Sequence, residues 1–476
     1  RQLLEIANIR EQNLWAHPDD PKAVAEKARD LIRMAVAGVK AAQPAARKTL
    51  PINKDVLVVG GGVAGMTAAM RLAEQRLNVY LVERSDVLGG AARNIRKTLE
   101  GEDVPAMVEE LVRKTEGHEN IHVIRNAAVV DHSGRPGMFK TGVRGGPKMD
   151  FRRIEHGATI IATGARANHP QEYLLGEHAA VLTQRDADAL IEDQPEKVKA
   201  WQKIVMIQCV GSRTPENPNC SRICCQAAVK NALRILDLNP KARIFVLYRD
   251  MRTSGLYEDH YREARGRGAL FINFDKDDPP RVQAVGAQLR VTFNDPVLGR
   301  EIALHADQLL LSTGFVADEA SSKQLAEVFR LPRNKDGFFL EENVKLMPVA
   351  LPKPGFFMAG TAHGPKTIRE STTQGLAAAA RALALLTKEE IDLNPEIACI
   401  DDQKCAACLN CIRACPFDAP YIPADGRVRI DATLCRGCGA CAAQCPAKAI
   451  QMIGTEDERI LARLEALLNK GEPRNG

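Results

Sequence analysis

Short apolar runs and longer amphipathic stretches alternate along most of the chain. Between Lys22 and Lys40, Val24, Ala28, Leu31, Ile32, Ala35 and Val39 recur near helical spacing, so residues 1–50 read as a helical lead-in, and Pro44 and Pro51 mark a linker. From Asp55 to about Pro395, β-branched runs such as Val79–Val82 and Lys203–Gln208 alternate with Ala/Leu-rich helical segments, the pattern of an α/β fold. Residues 396–452 form a compact Cys/Pro/Gly-rich module with an internal repeat. In the tail, Glu456–Lys470 places Ile460, Leu461, Leu464, Leu467 and Leu468 on one face, which predicts an amphipathic docking helix.

Composition narrows the classes. The 476 residues are 45% hydrophobic and 26% charged, an ordinary globular balance that excludes disorder, collagen and coiled coil. At roughly 150 residues per domain the length allows about three domains. Sixty-five Lys and Arg against sixty Asp and Glu leave +5, too small an excess to argue for nucleic acid. The longest apolar stretch, Leu376 to Leu386, is interrupted by Arg381 and falls short of the ~20 residues a membrane span needs. No signal-peptide core follows Arg1, so a cytoplasmic location is expected. The missing initiator Met suggests a fragment or a trimmed product.

Cysteine placement carries more information. Four of the thirteen fall in Cys209–Cys225 and nine in Cys399–Cys445. Tight clusters in a long chain of this kind point to metal or redox centres rather than to a disulfide framework.

The first chemical motif is Gly60-Gly-Gly62-Val-Ala-Gly65, preceded by an apolar strand from Asp55 and followed by an Ala-rich helix. The next strand ends in Glu83, twenty-three residues after Gly60, near the spacing of a dinucleotide fingerprint. Gly60 permits the sharp turn, Gly62 lets a pyrophosphate approach the backbone, and Gly65 lets helix and strand pack closely. The helix N-terminus offers unpaired N–H groups to the phosphates. Glu83 would accept from the ribose hydroxyls. The alternative for a lone glycine motif is a tight turn.

A second βαβ unit runs through Lys203–Gln208, Gln226–Leu238 and Ala242–Tyr248. Where a second glycine loop would stand, four cysteines appear: Cys209, Cys220, Cys224 and Cys225. Their spacing is neither a thioredoxin-like C-x-x-C nor a zinc knuckle pattern. Four thiolates on one loop at a helix N-terminus can close around a 4Fe–4S cube. Buried thiols or a vicinal disulfide are the alternative.

In the C-terminal module, Cys405-x2-Cys408-x2-Cys411-x3-Cys415-Pro repeats as Cys435-x2-Cys438-x2-Cys441-x3-Cys445-Pro. This is the run of two-cluster ferredoxins, in which the fourth Cys of each run ligates the other cluster. One cluster would take Cys405, Cys408, Cys411 and Cys445, the other Cys435, Cys438, Cys441 and Cys415. Zinc is the alternative, and it leaves both prolines and the eight-ligand run unexplained. Cys399 is left over as a structural or surface thiol.

Several stretches resemble the two-dinucleotide-fold flavoproteins of the thioredoxin and glutathione reductase family: Leu88-Gly-Gly90, Thr159-Ile-Ile-Ala-Thr163-Gly164 and Gly355-Phe-Phe-Met-Ala-Gly360-Thr361. The resemblance implies FAD, bound by Gly60, Gly62, Gly65, Glu83, Gly90, Thr163, Gly164, Gly360 and Thr361; Thr361 stands where most of that family has Asp. It also implies that the usual NAD(P)H loop has been lost to the cysteines. More specifically, Glu5–Gln12, Gln208–Arg213, Cys220–Cys225, Tyr248–Arg252 and Ala362–Thr367 resemble the heterodisulfide reductase A subunit, and these stretches span nearly the whole chain. That resemblance implies Cys209, Cys220, Cys224 and Cys225 as ligands of a third 4Fe–4S cluster. It further implies B- and C-like subunits in a hetero-oligomer, with a hydrogenase, formate dehydrogenase or ferredoxin as electron partner. Long members carry a further N-terminal cluster domain and an inserted ferredoxin-like module. Here Asn13 stands where a Cys is expected, and Val143–Phe151 is too short for the insert.

The expected architecture is thus a thioredoxin reductase-like flavoprotein with a C-terminal two-cluster ferredoxin domain. Its parts would be a helical segment (1–50), an FAD domain in two pieces (51–182 and 305–395), an inserted degenerate nucleotide-binding domain (183–304), the ferredoxin domain (396–452) and a terminal helix (453–476). His363 and Lys366 follow the segment expected near the flavin ring. A cation at Lys366 would stabilise an anionic reduced flavin, and a solvated loop is the alternative. Arg249–Arg252 reads as a salt-bridge segment. The function expected is electron transfer with the flavin as two-to-one switch and candidate bifurcation site. Its rivals are a stand-alone NAD(P)H-dependent flavoenzyme resembling the glutamate synthase small subunit, and a non-catalytic relay.

Overall fold

The computed structural model describes residues 3–42, 49–146, 149–286, 288–392 and 396–469. They divide into two compact units, one of residues 53–388 and one combining residues 1–52 with 389–476. Pro44 of the expected linker and Lys470 lie outside the described residues.

Within 53–388 the same plan is built twice. The all-apolar strand Val56–Val59 is buried along its whole length, as the central strand of a doubly covered parallel sheet must be. Around it the first sheet runs Phe356–Met358, Ala158–Ile161, Val56–Val59, Val79–Val82, Ile121–Ile124, every neighbour parallel. The second sheet runs Val181–Thr183, Gln308–Leu311, Lys203–Ile207, Arg243–Tyr248, Leu270–Asn273, again all parallel. Each lobe adds a three-stranded antiparallel sheet, 127–156 in the first and 281–306 in the second. Of Val143–Phe151, Val143–Gly145 and Asp150–Phe151 belong to the former, in the paired strands Met138–Gly145 and Asp150–His156. The chain passes between lobes through the antiparallel pair Arg166–Ala167 and Phe315–Val316.

Two expected boundaries shift. The strand Val181–Thr183 already belongs to the second sheet, so the limit at 182 cuts through it, and Gln308–Leu311, placed in the first lobe by a limit at 305, also hydrogen-bonds in the second. Both are buried apolar strands, and periodicity alone cannot say which sheet completes them.

In the other unit, the lead-in helix spans Pro21–Ala41, with Pro at its first turn and the Asp20 side chain accepting from Ala23 N–H. The tail helix, Asp457–Leu468, packs against it. The contact is not the leucine face that amphipathicity suggests. Arg459 and Arg463 both reach the Glu5 carboxylate, and Gly38 leaves the room that Arg463 fills, since a Cβ there would meet its Nε at 2.5 Å. Ile460, Leu461, Leu464 and Leu468 stay exposed. Among the described residues no helix is long and apolar enough to cross a membrane.

Candidate functional site

The glycine loop joins Val56–Val59 to the helix Val63–Ala73. Gly60 has φ +112°, and a Cβ there would strike the carbonyl of Ala162 at 2.3 Å. At Gly65 a Cβ would lie 1.9 Å from the Gly60 carbonyl. Gly62 differs: a Cβ would meet nothing within 4 Å, so the loop is tight against its own scaffold and open on one side. No side chain caps this helix, so its first N–H groups face that opening as anion donors.

The other expected flavin residues converge on the same place. Gly90 (φ +55°) would put a Cβ 3.1 Å from Gly62 Cα, and Gly62 bridges to Gly89. Gly164 faces Thr361, whose Oγ1 would lie 3.6 Å from a Cβ there, and Gly360 abuts Ala64. Thr163 follows Ala162 against the Gly60 turn. Glu83 is buried and largely engaged: Oε2 accepts from Gly61 N–H at 2.6 Å, and Oε1 from the Ser85 N–H and hydroxyl at 2.9 and 2.6 Å. A carboxylate has about four acceptor positions, which leaves one for a ribose hydroxyl. A crevice with open space at Gly62, flanked by backbone that tolerates no side chain, fits a dinucleotide such as FAD.

Lys366 and His363 are not on a solvated loop. The Lys366 ammonium lies 3.4 Å from His363 Nδ1 and 3.4 Å from the Gly364 carbonyl. Gln374 joins His363 to the flavin loop, its Nε2 3.2 Å from Nδ1 and its Oε1 accepting from Gly360 N–H at 3.1 Å. Burial first, then the positive charge of Arg222, brings the Lys366 ammonium down to about 8, while Glu370 and Glu341 oppose the shift. Gln374, Glu341 and Glu370 carried no sequence signal, because helix and loop positions 4–25 residues away meet only in the fold.

The four-cysteine loop occupies the equivalent strand–helix turn of the second lobe. The helix begins at Cys224, two residues before the sequence suggests, so Cys224 and Cys225 sit in its first turn. Cys209, Cys220, Cys224 and Cys225 line one small cavity together with Ser212, Arg213, Arg222, Asp250 and Arg252. All four are free thiols, so the structure does not contain the vicinal disulfide. Cys209, Arg213 and Arg222 adopt left-handed φ of 63°, 59° and 49°, a conformation that costs energy for residues with a Cβ and clusters at functional sites. Arg213 bridges Asp250 at 2.6 Å and approaches Cys209 Sγ at 4.0 Å, while Arg249 donates to the Arg213 carbonyl at 2.9 Å. The 249–252 segment therefore is a salt-bridging wall of the cysteine cavity. Burial pushes the thiols of Cys209 and Cys224 up, and that of Cys225 to about 11; the Arg213 cation partly offsets this at Cys209. Bare thiolates are thus disfavoured here, and the donor set suits a cationic metal core.

In the cysteine-rich module the two repeats share their backbone strain. Ala407 and Leu409 take left-handed φ of 50° and 64° where the second repeat has Gly437 and Gly439 at 69° and 77°. Cys415, Cys435, Cys438 and Cys441 line a second small cavity, the set that combines three cysteines of one run with the fourth of the other. Burial raises the Cys441 thiol, with the charges of Cys435 and Cys415 next; for Cys411 the neighbours are Cys405 and Cys408. Ala398 N–H points at Cys435 Sγ (3.4 Å) and Ala449 N–H at Cys445 Sγ (3.3 Å). Cys399 is exposed. Among the described residues no three His, Cys, Asp or Glu side chains gather tightly enough for a single metal ion.

Residues 54–207 match the family model of pyridine nucleotide-disulphide oxidoreductases, and residues 397–446 that of a 4Fe-4S dicluster domain. Similar solved structures include the thioredoxin reductase of Lactococcus lactis, 18% identical, with TM-score 0.48 over 70% of this chain and 99% of that one. Fold and cysteine module together define a flavin- and iron–sulfur-dependent oxidoreductase subunit, with two parallel-sheet α/β lobes in one chain with a 4Fe-4S dicluster domain. The A subunit of the H(2):CoB-CoM heterodisulfide,ferredoxin reductase of Methanothermobacter thermautotrophicus is 30% identical across 98% of this chain and 84% of its own length. The A subunit of the ferredoxin:CoB-CoM heterodisulfide reductase of Methanosarcina mazei is also 30% identical, across 98% of this chain and 70% of its own. The chain belongs to the family of heterodisulfide reductase A subunits.

Proposed function

We propose that this chain is the electron-wiring subunit of a heterodisulfide reductase-like complex, with one FAD and three 4Fe–4S clusters. Gly60, Gly62 and Gly65 would cradle the pyrophosphate, Glu83 would take the ribose, and Gly90, Thr163, Gly164, Gly360 and Thr361 would line the rest of the cofactor. Cys209, Cys220, Cys224 and Cys225 would hold one cluster. The others would be held by Cys405, Cys408, Cys411 and Cys445, and by Cys435, Cys438, Cys441 and Cys415. When bound, FAD exchanges electrons in pairs or singly and each cluster one at a time, so together they convert between two-electron and one-electron carriers. Lys366 would hold a proton and a positive charge beside the flavin loop, favouring an anionic reduced form.

The observation that carries this reading is the gathering of all four loop cysteines around one cavity where the second lobe's nucleotide loop would be. The second and third glycines that would admit a pyrophosphate are missing there, which favours loss of the NAD(P)H site. The relatives are named as one subunit of a heterodisulfide reductase, with ferredoxin in the name, which supports a hetero-oligomer. We assign it B- and C-like subunits, and a hydrogenase, formate dehydrogenase or ferredoxin as donor or acceptor. We further assign the flavin as the bifurcation site and the complex to the cytoplasm.

Anaerobic purification with iron, sulfide and flavin analysis tests the cofactor set: three clusters give about twelve irons per chain, two give about eight. Bleaching of the flavin by NAD(P)H in the isolated chain would return the stand-alone enzyme, and an iron-rich chain without flavin would return the relay. Bifurcation requires that the assembled complex reduce ferredoxin when both acceptors are supplied; without that reduction the assignment is lost.

A further inference from the structure

The lobes of residues 53–388 are joined by more than their connecting strands. Segment 95–103 leaves the first lobe between the turn Gly90–Asn94 and the helix Val104–Gly117 and reaches the second. Leu99 packs against the second lobe's hydrophobic core. Arg96 N–H donates to Asp188 Oδ2 at 2.8 Å, and the Arg96 guanidinium grips both Asp193 oxygens at 2.6 and 3.2 Å. From the opposite side, Lys230 Nζ donates to the Lys97 carbonyl at 2.9 Å.

These contacts converge on buried charge. Asp188 Oδ1 takes both Lys230 and Arg234 at 2.8 Å, with side-chain exposures of 4% for Asp188 and 9% for Lys230. Such charges are costly to bury, and removing Asp188 leaves Lys230 with the Lys97 carbonyl alone, whereas removing Lys230 leaves Asp188 with Arg234 and the Arg96 N–H. Asp188 lies on the helix Gln184–Asp193, whereas Lys230 and Arg234 lie on Cys224–Leu238, whose first turn carries Cys224 and Cys225. The helix that presents two of the four sulfurs is therefore pinned to the first lobe directly through Lys230 and, by way of Asp188, through Arg234. At the near end of the loop, Arg222 bridges Glu370 of the first lobe at 2.7 Å.

We propose that Asp188, Lys230 and the 95–103 strap form an inter-lobe clamp that holds the four-cysteine centre at a fixed distance from the flavin lobe. Asp188 and Lys230 are then positioning residues of the electron path. The proposal rests on the reading of the four cysteines as a cluster site. Tunnelling between redox centres falls steeply with distance, so a lobe whose cargo is built into its helix gains from rigidity.

The test uses the full chain, purified anaerobically, with Asp188→Asn, Lys230→Met and Leu99→Ala, the last leaving every charge in place. Two quantities are measured: hydrogen exchange in the connecting segments 162–180 and 312–318, and the rate of electron equilibration between flavin and four-cysteine centre after flash reduction. The expected result is faster exchange and at least a tenfold slower rate, with iron, flavin and midpoint potentials unchanged. Unchanged exchange, a rate within tenfold of wild type, or a slowing that tracks a shifted potential overturns the clamp. Should the charge variants fail to fold, Leu99→Ala decides. A wild-type chain with about eight irons instead overturns the cluster reading beneath it, while the exchange measurement still reports on the clamp.

Discussion

The two lobes place different chemistry at the same turn of the same fold. In each, a buried parallel strand ends, a loop crosses the sheet edge, and a helix starts without a side-chain cap. The first loop is three glycines long and is shaped by what it excludes: Gly60 and Gly65 admit no Cβ, and Gly62 leaves open space. The second is longer, carries Cys209 and Cys220 ahead of Cys224 and Cys225 in the helix's first turn, and is walled by Arg213, Asp250 and Arg252. Three other helices of these lobes are closed by their own side chains, at Asp103, Thr183 and Thr367, while Pro195–Lys199, Tyr257–Gly266 and Glu319–Phe329 lack such a cap but follow no chemistry-bearing loop. An uncapped helix N-terminus at the C-terminal end of a parallel sheet favours negative charge, and on the proposed reading the loop before it would select whether that charge is a diphosphate or a thiolate-bound core.

The largest expected effect breaks the second turn alone. Cys224→Ser should lower iron from about twelve to about eight per chain and leave flavin bound; loss of flavin as well would show that the two turns are not separable. Next, Gly62→Ala should abolish or strongly weaken flavin binding while the apoprotein melts as wild type does, because φ is −74° and a Cβ meets no protein atom. Gly65→Ala in contrast should destabilise the fold itself, by several kcal/mol, since the Gly60 carbonyl occupies the space. Equal flavin affinity in Gly62→Ala would remove the pyrophosphate from this loop.

A smaller effect is expected where the lobes meet. Lys366→Ala should make the flavin potential more negative below about pH 8, the difference closing at higher pH as the wild-type ammonium loses its proton. A potential unchanged at pH 7 would end the role of Lys366. The smallest concerns the antiparallel sheet of the first lobe, where burial brings His132 down to about 2 and His156 to about 4. Unfolded, both imidazoles would titrate near 6.5, so below that value the unfolded chain binds more protons than the folded one. Their contribution is therefore complete above about pH 6.5 and declines as pH falls towards 4 and then 2. Denaturant titrations between pH 7 and 4.5 should show stability falling in wild type and less so in His156→Gln.

Much of the site could be read directly because its signals are local. The glycine fingerprint, the acid at Glu83 and the repeated cysteine run act over a few residues each, and the Cys435–Cys441 run meets Cys415 around one cavity as the cross-ligating pattern implies. Locality also explains the failures. The strands at Val181–Thr183 and Gln308–Leu311 look like those of either sheet, and the tail helix docks through Arg459 and Arg463 because Glu5 and Gly38, more than four hundred residues away in sequence, receive them.

The sequence alone determined which turns carry chemistry and which elements they join, since spacing along the backbone dictates what a single loop can wrap around. Only the tertiary structure decided that Lys366 feels the charge of Arg222, that Glu370 links the cysteine loop to the flavin lobe, and that Lys230 ties the Cys224 helix to Lys97. The last two contacts join side chains and backbone 133 to 148 positions apart. Electrostatics and close packing act through space, and no period or motif along the chain encodes them.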